Sequence, residues 1–241
     1  MSGSDLRRGA LLWDEWWTVI GAGAPSDTFA LYTKTRGTQA GSATWRCQEC
    51  HGWDYRGSMG AYATGPHFTG VAGVIERVPG RTNQELYDVL KTGTPPASGG
   101  SALTGSDHSF DEQLDNDEIL ALVRFLREGL VDTRAVIAAD GQATGNANAG
   151  QPLYASSTSN PDLVVGQCAL CHGGDGKAID MGDGGGSVFV GTAARGEPWR
   201  TLHRIRWGVP GTSMPSAVER GITELADQGD LLAYTQTLPA Q

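Results

Sequence analysis

Apolar residues recur at helical spacing over several stretches of the chain and rarely alternate as a half-buried strand requires. The clearest stretch is Ile119, Leu122, Val123 and Leu126, an i, i+3, i+4, i+7 stripe. Asp115 and Glu118 stand where that helix begins, and Gly129 is its expected stop. Thr82-x-x-Glu85 is a capping box that opens a short helix through Leu86 and Leu90. Pro198 suits the first turn of a helix through Trp199, Leu202 and Ile205, which Gly208-Val-Pro210 ends. Further helices are predicted at Gly9-x-x-x-Trp13, at Gly150-x-x-x-Tyr154, and at the C-terminal Leu231-x-x-Tyr234. The predicted fold class is all-α, with few or no strands.

These elements repeat. Gly9…Trp13 is matched by Gly150…Tyr154, and Leu122-x-x-Phe125 by Leu231-x-x-Tyr234. Gly65-Pro-His-Phe-Thr-Gly70 aligns with Gly186-Ser-Val-Phe-Val-Gly191 between them. The pattern predicts two tandem domains, 1–130 and 149–241, with 131–148, rich in Ala, Gly, Asp and Asn, as the linker. Glycine is abundant, 35 of 241 residues, and charged residues are 19%, which excludes a highly charged disordered chain and a long coiled coil. With 18 basic against 27 acidic side chains the net charge is −9, which disfavours nucleic acid and anionic membrane surfaces as partners. No apolar run approaches the roughly 20 residues of a membrane-spanning helix. The glycine run Gly182-Asp-Gly-Gly-Gly186 lacks the spacing of a dinucleotide-binding turn, and Gly176-Lys177 lacks the hydroxyl of a phosphate loop.

The cysteines add chemistry to each repeat. They form two pairs, Cys47-Gln-Glu-Cys50 and Cys168-Ala-Leu-Cys171, whose first members are 121 residues apart, and histidine follows each at once, His51 and His172. Cys-x-x-Cys-His is the attachment signature of c-type haem. Both sulfurs add to the vinyl groups of one macrocycle from a single turn, and the next residue's imidazole lies under the iron. A four-thiolate zinc site places its pairs far closer together, a thioredoxin-like motif accounts for one pair, and local disulfides give the histidines no role. Two covalently bound haem c groups are the expected cofactors.

Around these motifs each half resembles a class I c-type cytochrome domain, over about residues 6–128 and 146–239. In that family an N-terminal helix with a glycine and an aromatic crosses a C-terminal helix bearing Leu-x-x-aromatic, and the sixth iron ligand sits on a loop before the last helix. Trp45-Arg-Cys-Gln-Glu-Cys-His-Gly-Trp-Asp-Tyr55 and Pro198-Trp…Met214-Pro215 are further similar to diheme cytochromes associated with thiosulfate dehydrogenase. The resemblance implies Met214 as sixth ligand of the second haem, with Met181 as competitor. The corresponding first loop, Gly105-Ser-Asp-His108-Ser-Phe110, has no methionine, so His108 is expected there, with Met59 and His67 as alternatives. The resemblance also makes the Pro66 carbonyl the expected acceptor for Nδ1–H of His51, a bond that fixes ring orientation. Trp45 and Trp207, with Trp53, Tyr55 and Trp199, are candidates to line the haems. Arg204 and Arg206 are candidates for the haem carboxylates, and His203 is expected at the surface.

Two protein ligands per iron leave no open position for substrate, so the expected function is single-electron transfer. His51/His108 would have the lower potential and His172/Met214 the higher, because a thioether ligand favours ferrous iron. The alternative is a diheme enzyme or enzyme subunit. A peroxidase of this type must open a coordination site, and the cysteine distal ligand of thiosulfate dehydrogenase has no counterpart once attachment takes all four cysteines. Expected partners are redox proteins with basic docking patches. The family implies a periplasmic or exported protein. Met1-Ser-Gly-Ser has neither the basic nor the apolar region of a signal peptide, so the chain is expected to start at the mature protein.

Overall fold

The computed structural model describes residues 3–95, 108–155, 168–182 and 186–240. The chain divides into two compact units, Met1–Val131 with Val209–Thr212, and Asp132–Gly208 with Ser213–Gln241. The fold is all-α. Among the described residues, β-type pairing is limited to the isolated bridges Gly57–Ala72 and Ile137–Ala143. No described helix is long and apolar enough to cross a membrane.

In the first unit the helices are α1 (Gly3–Ile20), α2 (Cys47–His51), α3 (Asn83–Thr92) and α4 (Asn116–Arg124), and α4 runs on into a π turn, Phe125–Gly129. The apolar stripe of α4 buries Ile119, Leu122 and Phe125 against α1, whose Leu12 and Trp13 are equally enclosed. The two helices touch at Gly9, where a Cβ would lie 2.0 Å from the Ala121 carbonyl oxygen, so only glycine permits the crossing. Both α3 and α4 open with full capping boxes, Thr82 with Glu85 and Asp115 with Glu118. Each cap is worth about 1 kcal/mol. Gly129 does not end α4 as a left-handed cap. The helix widens into its π turn instead, and glycine is required there because a Cβ would meet the Phe125 ring at 2.4 Å.

In the second unit the helices are α5 (Ala147–Ala155), α6 (Cys168–His172), α7 (Val190–Gly196), α8 (Pro198–Trp207) and α9 (Leu225–Thr237). The same crossing recurs: a Cβ on Gly150 of α5 would lie 1.9 Å from the Asp230 carbonyl oxygen of α9. Pro198 starts α8, and Gly208, at φ +89°, ends it.

Two expectations are corrected here. The presumed linker is, from Asp132 onward, part of the second unit. Val136 and Ile137 are buried in its core, and the Gln236 side chain of α9 holds the turn that follows: its Oε1 accepts Ala143 N–H at 2.9 Å and its Nε2 donates to the Gly141 carbonyl at 2.9 Å. Composition misled because small and polar residues surround those two apolar anchors. The alignment of Gly65–Gly70 with Gly186–Gly191 also fails: Gly70 is a left-handed loop residue at φ +77°, whereas Gly191 lies inside α7.

Candidate functional site

Cys47 and Cys50 stand three residues apart on the one-turn helix α2, so both reach the same side, and both line a deep cavity in the first unit. Gln48 and Glu49 between them are buried elsewhere. Glu49 accepts from His67 Nδ1 at 3.1 Å and from the Tyr32 hydroxyl at 3.4 Å. The cavity wall is mainly apolar, with Phe29 and Trp45 from the segment between α1 and α2, Leu86 and Leu90 from α3, and Leu122 from α4. No disulfide joins any of the four cysteines. Burial pushes the thiols of Cys47 and Cys50 up to about 12, so they lack the depressed pKa of a reactive redox pair.

His51 and His108 face each other inside this cavity, with ring centroids 6.4 Å apart and planes at 71°. His51 Nδ1 lies 3.0 Å from the Ala72 carbonyl, and His108 Nδ1 lies 3.3 Å from the Val89 carbonyl. A carbonyl only accepts, so each Nδ1 carries the proton and each Nε2 keeps its lone pair. The local fold explains the second bond. At the end of α3 the carbonyls of Leu90 and Lys91 take donors from residues 108–110, Phe110 N–H to Leu90 at 2.9 Å and Ser109 Oγ to Lys91 at 2.6 Å, and His108 Nδ1 shares the Val89 carbonyl with Gly93 N–H, which donates at 3.1 Å. Burial drives the His51 pKa down to about 4, with His108 and Arg77 adding to the effect, and burial lowers that of His108. Both imidazoles are therefore neutral at pH 7, the form that binds a metal.

The spacing fits an iron between the rings. A centroid separation of 6.4 Å leaves room for a metal ion that both Nε2 lone pairs would hold. The thiols, the apolar walls and the imidazole pair thus match the chemistry of one haem attached through Cys47 and Cys50. Among the described residues no three His, Cys, Asp or Glu side chains form a metal cluster. A haem iron takes two axial protein ligands at most.

Several sequence-based assignments change. The Pro66 carbonyl does not receive His51: it accepts the Thr38 hydroxyl at 3.2 Å, and Ala72 takes its place because the Gly57–Ala72 bridge brings that later segment under the ring. His67 is paired with Glu49 and stacked on Tyr62, centroids 4.7 Å apart, and does not line the cavity. Met59 is 72% exposed and is likewise outside it. Trp45 lines the cavity, whereas Trp53 and Tyr55 are core residues. Trp13 was legible as a helix-crossing residue but not as a neighbour of His51, on which its ring packs at 5.8 Å. Residues 105–107 of the predicted ligand loop lie outside the described residues.

In the second unit Cys168, Cys171 and His172 form the one-turn helix α6. Burial lowers the His172 pKa, and its buried Nδ1 has no hydrogen-bond partner among the described residues. Met214 is half-buried on the segment joining α8 to α9, whereas Met181 is 43% exposed in the loop after α6. Trp207 is fully enclosed at the end of α8. His203 is 1% exposed, a correction to its expected surface position: α8 turns it inward with Leu202 and Arg206. Arg206 donates to Gln228 Oε1 and is committed to that buried pair, while Arg204 is half-buried.

No family model, curated protein or solved structure matches the chain.

Proposed function

We propose that this protein is a diheme c-type cytochrome that passes single electrons between redox proteins. The observation that carries the reading is the imidazole pair of His51 and His108, 6.4 Å apart across an apolar cavity that both thiols of the first Cys-x-x-Cys-His motif also line. Bound haem would supply a one-electron iron couple. Cys47 and Cys50 would tether it, His51 and His108 would hold its iron through Nε2, and the apolar walls would exclude water. In the second unit Cys168 and Cys171 would tether the other group, and His172 and Met214 would hold its iron. The imidazole pair favours ferric iron and the thioether ferrous iron, so electrons would enter at the first site and leave from the second. The net charge of −9 favours partners with basic docking patches. Haem attachment of this kind takes place outside the bacterial cytoplasm, so we place the protein in the periplasm or beyond.

Expression with a cytochrome-maturation system tests the proposal. Two haems per chain by pyridine haemochrome, both retained through acid-acetone extraction, are expected. Zinc and no haem in such protein would overturn it.

A further inference from the structure

The loop after each Cys-x-x-Cys-His motif has the same backbone in both units. Gly52 and Gly173 sit at φ +76° and +77°. Gly57 N–H donates to the His51 carbonyl at 2.7 Å, as Ala178 N–H does to His172 at 2.9 Å. Asp54 Oδ1 accepts Arg56 N–H at 3.1 Å, as Asp175 Oδ1 accepts Lys177 N–H at 3.1 Å. The third residue after each first glycine is left-handed, but the second unit has Gly176 there, at φ +75°, and the first has Tyr55, at φ +64°. No other described non-glycine residue has a positive φ. Such a conformation is strained for a non-glycine residue, because its Cβ crowds the following carbonyl oxygen. The strain is met by packing: Tyr55 is 1% exposed, wedged edge-on against Trp13 at 5.8 Å and Phe125 at 5.9 Å.

The strained residue fastens a strap. The Tyr55 carbonyl accepts both Val74 N–H at 2.8 Å and Ile75 N–H at 3.2 Å, and Ser58 N–H donates to the Val71 carbonyl at 2.8 Å. Between these clamps lies Ala72, bridged to Gly57, with its carbonyl on His51 Nδ1. Asp54 locks the same loop from the other end, its Oδ2 accepting Ala61 N–H at 2.6 Å. In the second unit the Gly176 carbonyl accepts Val190 N–H at 3.2 Å, so Val188 stands in the register of Ala72. The Val188 carbonyl instead accepts Met181 N–H at 2.8 Å, and His172 Nδ1 is left without a partner among the described residues.

We infer that Tyr55 is a positioning residue that, through the strap at 71–75, holds the Ala72 carbonyl on His51 and so lowers the potential of the first iron site relative to the second. The inference rests on the diheme reading proposed above. A hydrogen bond from Nδ1–H makes the imidazole more basic, and a more basic ligand stabilises ferric iron. Among the described residues, the two histidines therefore differ at Nδ1, which Ala72 binds in His51 and which has no partner in His172.

The test is redox titration of the full-length holoprotein carrying Tyr55→Gly, Tyr55→Phe or Asp54→Asn, with amide hydrogen exchange at Val74 and Ile75 as a readout independent of haem. Tyr55→Gly keeps a positive φ accessible but removes the wedge. Its low-potential wave should rise by up to a tenfold change in the ferric-to-ferrous ratio, about 59 mV for a one-electron couple. Exchange at Val74 and Ile75 should quicken, and the high-potential wave should stay in place as the internal control. Tyr55→Phe keeps the ring and should restore both readouts. Asp54→Asn, the milder change should Tyr55→Gly fail to fold, turns the acceptor for Ala61 N–H into a donor and should shift both readouts the same way by less. A low wave unmoved while exchange quickens, or both waves moving together, overturns the inference and leaves the diheme reading intact. Absence of haem from the unsubstituted protein overturns that reading, and the inference with it.

Discussion

His51 and His108 stand 6.4 Å apart, ring centroid to ring centroid, although a whole helix separates them in sequence. Each ring is oriented by its own Nδ1 bond to a backbone carbonyl, Ala72 for one and Val89 for the other. These two bonds fix how the rings are turned toward the cavity that both line.

Replacing His108 tests the first site. His108→Ala should raise the high-spin fraction and displace only the low-potential wave, because His51 and both thiols stay in place. His108→Met should raise that wave and add a second methionine–iron charge-transfer band to the ferric spectrum. An unchanged low-spin spectrum and both waves intact in His108→Ala would remove His108 from the ligand set.

Met214 is the corresponding test in the second unit. Met214→Ala should abolish the original charge-transfer band, increase high-spin iron and leave the low wave nearly unchanged. Persistence of the band would assign the thioether elsewhere, with half-exposed Met181 the next position to substitute.

The all-α fold, the capping boxes of α3 and α4, and the glycine crossings at Gly9 and Gly150 were legible in the sequence because each depends on residues close together or on a spacing that repeats. The sequence also singled out both His51 and His108, whose rings stand 6.4 Å apart. The Ala72 carbonyl was not legible: it belongs to the backbone, and any residue type could supply it. Its selection depends on a bridge to Gly57 that leaves no mark in composition. The burial of Val136 and Ile137 was missed for a related reason, since a segment of small and polar residues reads as a linker until a distant side chain, Gln236, is seen to hold it. Tyr55 carried a signal that went unused: the aligned motif has glycine at 176, and the exchange of glycine for tyrosine marks strain.

Tyr32 gives a pH prediction. Burial pushes its phenol up to about 12, with the Glu49 carboxylate adding to the shift and the Gln39 N–H opposing it. An unfolded chain releases this proton near the ordinary value of about 10. The contribution to stability is therefore full below about pH 10 and is lost as pH rises from there through about 12. Urea unfolding of the first unit across that window should show falling stability, and Tyr32→Phe should flatten the slope. An equal slope in both proteins would assign the alkaline loss to other groups.

Gln236 decides whether residues 132–148 are structural. The residue is 7% exposed and its side-chain amide is bonded on both ends: Oε1 accepts from Ala143 N–H and Gln142 Nε2, and Nε2 donates to the carbonyls of Gly141 and Ala194 at 2.9 and 3.0 Å. Gln236→Ala leaves several buried backbone groups unpaired, each worth about 1–3 kcal/mol. Partial rescue by water would bring the net loss to about 3 kcal/mol, a large fraction of the stability of a unit this small. The expected result is early thermal loss of the signature of the haem proposed for the second unit, with the first unit's transition unmoved. Gln236→Glu retains Oε1 for Ala143 but replaces the Nε2 donor, so it should fall between the two. If Gln236→Ala melts like the unsubstituted protein, the 141–143 turn is dispensable, and Val136 and Ile137 hold the segment without it.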